Sequence, residues 1–272
     1  MSVQPLVSVI IPAYNAAATV GRTLESVLSQ SWTNLQVIVV NDGSTDGTGD
    51  VLARFASRDP RVTVLSQANA GVSAARNLAL DIAAGRYIRF VDADDTLPPA
   101  SIEHMVIRAE RDGADLVLGG YREYMKRLSR SMNLENREDT VPFPSLLSTL
   151  CAHANSYFYG VLWNKLYSAD LIRKSSLRFD PALWWGEDFA FNMDYLREVS
   201  RVAFMKEDLY DYRRSPRSAT FRQVLDCVVH PLGNIRIKRV LYSHLKGLYI
   251  ARGAYPEYRG RLWHYLFRVG LN

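Results

Sequence analysis

Cysteine is nearly absent from this chain. Cys151 and Cys227 lie far apart with no C-x-x-C, which excludes a thiolate zinc site and a disulfide framework and points to a reducing compartment. No stretch approaches 18 uninterrupted apolar residues, so no membrane-spanning helix is expected. The N-terminal M-S-V-Q-P-L-V-S-V-I-I-P has no basic region before its apolar run, and Pro12 ends that run too early for a signal peptide. Glycine is missing where the common nucleotide folds need it. The first apolar run leads into P-A-Y-N-A-A-A instead of G-x-G-x-x-G, and G-x-x-x-x-G-K-S/T occurs nowhere. Any phosphate bound here is therefore not cradled by a glycine loop, which fits neutralisation by a metal. His153, His230 and His264 show neither a Ser or Cys partner nor metal spacing, and no role is assigned to them.

What is present is an ordinary folded composition, 48% apolar and 22% charged over 272 residues, enough for one large domain or two small ones. The net charge of +5 is uneven. Residues 201–272 hold 14 Lys and Arg against 5 Asp and Glu, a net of +9, which leaves −4 for residues 1–200. A basic tail behind a mildly acidic body suits an anionic partner, or is a solvated helical surface.

Over the first 120 residues strand and helix patterns alternate. Val7–Ile11, Leu35–Val40, Val62–Leu65, Tyr87–Val91 and Asp115–Leu118 read as strands. Thr19 reads as the cap of a helix spaced by Val20, Leu24, Val27 and Leu28, and Val51–Phe55, Ser73–Ala83 and Ser101–Arg111 as further helices. That alternation predicts an α/β fold: a mostly parallel central sheet with helices on both faces. The polar R-L-S-R-S-M-N-L-E-N-R-E-D-T reads as a loop or excursion. Asp170–Lys174 and Glu187–Val199 read as helices, and Val202–Met205 and Leu209–Tyr212 as two short strands. After Phe221 come helices interleaving basic and aromatic residues (Arg236, Lys238, Arg239, Tyr242, Trp263, Tyr265, Phe267).

Tyr87 to Asp95, Y-I-R-F-V-D-A-D-D, is the most informative stretch. A buried-strand pattern ends in Asp92, Asp94 and Asp95 with only Ala93 between them. Crowded like charges call for a cation or hydrogen-bond donors, and a hard divalent ion completed by substrate phosphates supplies one. Two more strand ends are similarly polar: Pro12-Ala13-Tyr14-Asn15, and Asn41-Asp42-Gly43-Ser44-Thr45-Asp46-Gly47. In an open parallel sheet, ligands bind at the carboxyl edge of the strands, so the three ends converge on one crevice.

The blocks I-I-P-A-Y-N, V-V-N-D-G-S-T-D-G-T, N-A-G-V-S-A-A-R-N, G-R-Y-I-R-F-V-D-A-D-D and W-G-E-D-F-A-F occur in the order seen in family 2 glycosyltransferases of the GT-A fold. The chain resembles that family over about residues 7–220. The resemblance implies a GT-A domain over 1–220, with a nucleotide-binding half (1–120) and an acceptor and catalytic half (121–220), followed by a helical basic extension over 221–272. It implies an inverting, hexosyltransferase-type enzyme building polysaccharide, capsule or lipopolysaccharide. Such an enzyme takes a nucleotide sugar, UDP-linked, and a glycan or lipid-linked saccharide acceptor, with Mn²⁺ or Mg²⁺ as cofactor and no nucleic acid partner. It implies a cytoplasmic setting; the basic, aromatic-rich tail itself is read as a surface for peripheral contact with anionic membrane.

Carried onto this sequence, Asp42 holds the nucleobase, accepting from an imide N–H. Tyr14 stacks on the base with Pro12 and Asn15 beside it, the alternative for Tyr14 being ordinary packing. Asn69 and Arg76 line the donor pocket, and for Arg76 a buried pair with an aspartate is the alternative. Asp92 meets the ribose beside Ala93, and Asp94 is the metal ligand of the D-x-D motif. Asp95 reads as a helix cap before Leu97-Pro98-Pro99, or as support for the metal. Asp188 of the Glu187-Asp188 pair is the catalytic base, its pKa raised by the neighbouring Trp184 and Trp185, and Trp185 offers a face for a sugar ring. Lys165 and Arg213 are cation partners for phosphate, or plain surface charges. The competing readings are a sugar nucleotidyltransferase, which would need a glycine- and basic-rich loop after the first strand, and a non-catalytic sugar-nucleotide or glycan-binding module, which has no need of Asp188.

Overall fold

The computed structural model describes residues 4–125, 128–133, 136–154, 156–214 and 231–267. Continuous apolar runs form the centre because helices cover both faces of the sheet. The strands are β1 (Val7–Ala13), β2 (Leu35–Asp42), β3 (Val62–Gln67), β4 (Tyr87–Phe90), β5 (Leu116–Met125), β6 (Leu128–Met132), β7 (Thr140–Pro142), β8 (Lys165–Ser168) and β9 (Arg201–Arg213). The main helices are α1 (Val20–Leu28), α2 (Thr48–Arg58), α3 (Val72–Ile82) and α4 (Ser101–Asp112). They are followed by α5 (Leu147–Ala152), α6 (Tyr157–Gly160), α7 (Ala169–Lys174), α8 (Glu187–Tyr195), α9 (Pro231–Ala251), α10 (Tyr255–Leu262) and α11 (His264–Phe267).

The sheet order is β3-β2-β1-β4-β8-β5-β9-β7, with β6 paired to β5. β3, β2, β1 and β4 are parallel, in register Ile10 opposite Ile38 and Phe90. Right-handed crossovers then put α1 and α2 on one face and α3 on the other. Beyond β4 the sheet is mixed: β8 runs antiparallel between β4 and β5, while β9 is parallel to β5. Residues Val9, Ile10, Ile11 and Val37 through Val40 are fully buried.

Three local readings change. The polar excursion is in part strand β6, held by five pairs with the projecting end of β5. The two short strands are one strand, β9, whose ladder shifts register opposite Gly119 and Gly120; the polar Lys206-Glu207 breaks the alternation there, as at a bulge. Thr19 occupies the cap position of α1, but its hydroxyl reaches Ala16 O (3.3 Å) instead of capping the helix.

The segment after Phe221 begins outside the described residues. Between Pro231 and Phe267 it forms three helices, and α9 packs directly on α8 through buried Leu241, Leu245 and Leu248. Tyr249 donates to Leu147 O (2.6 Å), and Arg252 turns inward to the carbonyl of Leu196 (2.7 Å).

Candidate active site

Because β1, β2, β3 and β4 are parallel and adjacent, the loops after them share one edge of the sheet. The first two are clasped together. Asn15 sits at φ +49°, a left-handed conformation that Asn tolerates. Its N–H donates to Ser44 Oγ (3.0 Å), and its Oδ1 accepts from Thr45 N–H (2.8 Å). Tyr14, between Asn15 and the buried end of β1, is half exposed at 51%. Pro12 lies in the β1 ladder opposite Val40.

Buried Asp42 ends β2. Its Oδ1 accepts from Gln67 Nε2 (2.7 Å) and Ala70 N–H (2.8 Å), and its Oδ2 accepts from Gly71 N–H (3.0 Å). The carboxylate thus fixes the loop carrying exposed Asn69. Gly43 makes that approach feasible: it has φ +70°, and a Cβ there would lie 2.5 Å from Asn69 N. Gly71 opens α3, and Arg76 follows about 7.5 Å along the helix.

Arg76 ties three sequence blocks together. Its side chain is 5% exposed. Nη1 donates to Asp188 Oδ1 (2.7 Å) and Glu187 Oε1 (3.1 Å), and Nη2 lies 3.5 Å from Asp92 Oδ1. Burial opposes its charge, but Asp188, Glu187 and Asp92 together outweigh that and hold the guanidinium more firmly protonated than usual. The buried pair foreseen as the alternative for Arg76 is therefore present, with three carboxylates in place of one.

The carboxylates respond in the opposite sense. Burial pushes Asp188 well above the ordinary carboxylate range, Arg76 pulls it back in part, and Glu187 and Asp92 add to the rise. Its side chain still keeps 23% exposure, so a solvent-borne hydroxyl can reach it. Asp92, 35% exposed, is also raised by burial against the pull of Arg76. Glu187 and Asp188 open α8 directly after Gly186. Of the two indoles before them, Trp184 is the more exposed at 48%, while Trp185 is half-buried against the core.

Asp94 is pushed up to about 6, by burial first and the Asp92 carboxylate second. Unlike Asp92 and Asp95, its carboxylate accepts no hydrogen bond from a side chain among the described residues, and the Arg22 guanidinium only partly offsets the rise. No described group of three or more His, Cys, Asp or Glu forms a complete metal cage. A hard divalent ion that keeps waters and substrate phosphates needs only one or two carboxylates, and Asp94 beside Asp92 fits that use.

Two expectations are corrected. Asp95 does not cap α4, whose cap position is Ala100. Fully buried, it accepts from Tyr210 Oη–H (2.8 Å) and Arg213 N–H (2.7 Å), while Asp92 N–H donates to the same Tyr210 oxygen (3.1 Å). Burial, then Asp94 and Asp92, raise its pKa well above normal. Lys165 is neither a phosphate ligand nor a surface charge. It is 2% exposed, and its ammonium donates to the carbonyls of Phe158 (3.0 Å) and Val161 and to Asn164 Oδ1 (2.8 Å). Trp163 is likewise structural, stacked on Tyr210 and Tyr212.

Arg213 reaches the aspartate loop through its backbone, and its guanidinium lies over Tyr124 (4.8 Å). Sequence reasoning missed Arg22, which donates to Asp94 O (3.0 Å), and Thr23, whose hydroxyl lies within reach of the carbonyls of Ala93 (3.0 Å) and Asp95 (2.7 Å). Both sit on α1 about 70 residues upstream, with no motif to announce them. It also missed Gln67 on Asp42 and the fully buried Arg89, whose guanidinium spans from β4 to the carbonyls of Lys165 (2.8 Å) and Leu209 (3.0 Å).

Residues 8–175 match the sequence model of the family described as Glycosyl transferase family 2. The chain is 32% identical to the uncharacterized glycosyltransferase EpsJ of Bacillus subtilis over 257 residues, 94% of this chain and 71% of that protein. It is 28% identical to the uncharacterized glycosyltransferase YibD of Escherichia coli, covering 96% and 77% respectively. Among solved structures, S. aureus TarS 1–349 in complex with UDP-GlcNAc superposes with a TM-score of 0.76 at 21% identity, covering 95% of this chain and 72% of that one. In the crystal of the same protein with UDP the chain spans 64% of that chain's length. The TarS likeness shows the GT-A architecture, and the match over residues 8–175 together with EpsJ shows that this chain belongs to the family 2 glycosyltransferases.

Proposed function

We propose that the chain transfers a sugar from a nucleoside-diphosphate donor, UDP-linked, to a hydroxyl of a glycan or lipid-linked saccharide, with inversion, in polysaccharide, capsule or lipopolysaccharide assembly. One observation carries this reading: Arg76 gathers Asp92 of the D-x-D block and Glu187-Asp188 of the E-D pair onto one guanidinium. That shared contact supports a donor site and a base facing one cleft. The UDP and UDP-GlcNAc complexes of the TarS fold support the donor class.

Exposed Tyr14 offers its ring to the base, with Pro12 and Asn15 supporting the turn. Asp42 has three acceptor positions filled by the protein, leaving one lone pair of Oδ2 for a uracil imide N–H. Asn69 borders the donor, and Asp92 takes the ribose beside Ala93. Asp94 would hold Mn²⁺ or Mg²⁺, which when bound neutralises the diphosphate leaving group. Arg213 stands on the diphosphate side, and Trp185 and Glu187 shape the sugar pocket. Asp188 accepts the proton of the acceptor hydroxyl as that oxygen attacks the anomeric carbon and the bond to the diphosphate breaks. One displacement from an α-linked donor leaves a β linkage.

No described helix is long and apolar enough to cross a membrane. We assign the reaction to the cytoplasm because two separate cysteines suit a reducing compartment. Incubation with a panel of UDP-, GDP- and TDP-sugars plus Mn²⁺ tests the reading. UDP release from a UDP-sugar supports it, whereas pyrophosphate-dependent formation of UTP, or binding without turnover, would overturn it.

A further inference from the structure

We propose that the outer face of α9, together with Tyr255 and Trp263, is a docking surface for an anionic phospholipid bilayer. At 100° per residue, Ile235, Arg239, Tyr242, Lys246 and Ile250 fall within an arc of about 80°. The opposite side of the helix carries Leu241, Leu245 and Leu248 and is buried against α8. The outer arc is covered only in its middle, where Tyr242 and Lys246 are half-buried against Trp263 and Tyr255; Ile235 and Ile250 at its ends, and Trp263 beside it, are each more than half exposed. The aromatic members are packed into one patch. Trp263 lies 5.9 Å from Tyr242 between ring centroids, and Lys246 Nζ lies 5.0 Å over the Tyr255 ring.

Charge decides the occupant. Residues 231–267 contain seven Lys and Arg against one acid, Glu257, and Arg236, Arg239, Arg259 and Arg261 are exposed. Such a surface repels a second copy of itself and attracts anions. Isoleucines at both ends of a basic stripe, with an exposed indole beside it, match a helix lying in the plane of a membrane interface, where apolar side chains enter the acyl boundary and cations meet headgroups. The same helix backs α8, so the bilayer would lie about one helix diameter, roughly 10 Å, from the helix whose first turn carries Asp188.

Sedimentation of the full chain with phosphatidylcholine vesicles, with and without phosphatidylglycerol, tests this independently of sugar transfer. Binding is expected only with phosphatidylglycerol present and should fall as salt rises. Arg239→Gln with Lys246→Gln should weaken partitioning about fivefold per cation, about 25-fold together. Ile235→Ser, Ile250→Ser and Trp263→Ser combined should also weaken it. Both variants should stay folded, with a wild-type circular-dichroism spectrum, and keep the wild-type rate of UDP release without vesicles. Absence of vesicle binding by the wild-type chain would overturn the proposal, as would equal binding to neutral vesicles. So would binding that duplex DNA displaces and the Ile and Trp substitutions leave intact, which would make the patch a general polyanion surface.

Discussion

Replacing Asp188 with Asn separates catalysis from binding and from folding in one variant. The amide oxygen can still accept from Arg76 Nη1, 2.7 Å from Asp188 Oδ1 today, and Asp92 and Glu187 still face the guanidinium. The donor pocket should therefore survive, with UDP affinity within a few fold of wild type. Turnover should fall roughly 10²- to 10⁴-fold, the usual contribution of a general base. Stability should move the other way. Asp188 has a folded pKa raised above its unfolded value, so its contribution is present below the ordinary carboxylate range and is lost as pH rises through the shifted value. Above that value the wild type holds a buried carboxylate that the Asn variant lacks. Relative to wild type, the variant should gain melting temperature between about pH 4 and about pH 8, because only the wild type has a buried carboxyl group whose ionisation folding opposes. UDP release, titration of UDP binding and melting curves at both pH values test the three parts. A loss of UDP affinity as large as the loss of turnover would refute the base assignment and make the residue structural.

Lys165→Met should lower the melting temperature, with about 1–3 kcal/mol lost by leaving buried oxygens short of a donor, while the donor KM stays within about twofold; a large rise in KM would return Lys165 to the phosphate site. Tyr210→Phe removes the hydroxyl between Asp95 and the Asp92 amide, and denaturant unfolding should show about 1–3 kcal/mol of destabilisation together with weaker activation by Mn²⁺. Gly186→Ala meets both φ +76° and Leu241 Cδ1 at 2.5 Å, so about 2 kcal/mol or more should be lost. Leu241→Ala in the same chain should recover part of that loss, and strict additivity of the pair would count against the contact.

Where apolar runs and strand-end polarity carried the message, the sequence was legible. β1, β2 and β4 could be placed because strands covered on both faces are dominated by apolar side chains, with buried Arg89 of β4 as an exception, and the carboxyl-edge loops followed from their order. Long-range satisfaction of charge was not legible. Asp95 and Tyr210 are 115 residues apart, and no local pattern says that a buried carboxylate will find a phenol instead of a helix. Lys165 was misread for a related reason: its partners at Phe158, Val161 and Asn164 are near in sequence, but only the turn that aims three oxygens inward makes its burial tolerable. The β6 strand escaped notice because L-S-R-S-M is exposed and owes its shape to pairing with β5, not to a hydrophobic face.

The meeting of Leu241 with Gly186 gives the C-terminal helix a second duty. A chain cut before Pro231 would strip the cover from the turn that aims Asp188, so shortening this protein should blunt its chemistry even in free solution. Loss of activity on truncation is then no measure of surface attachment, because a single leucine seated on a residue with no side chain ties the extension to the turn before Asp188.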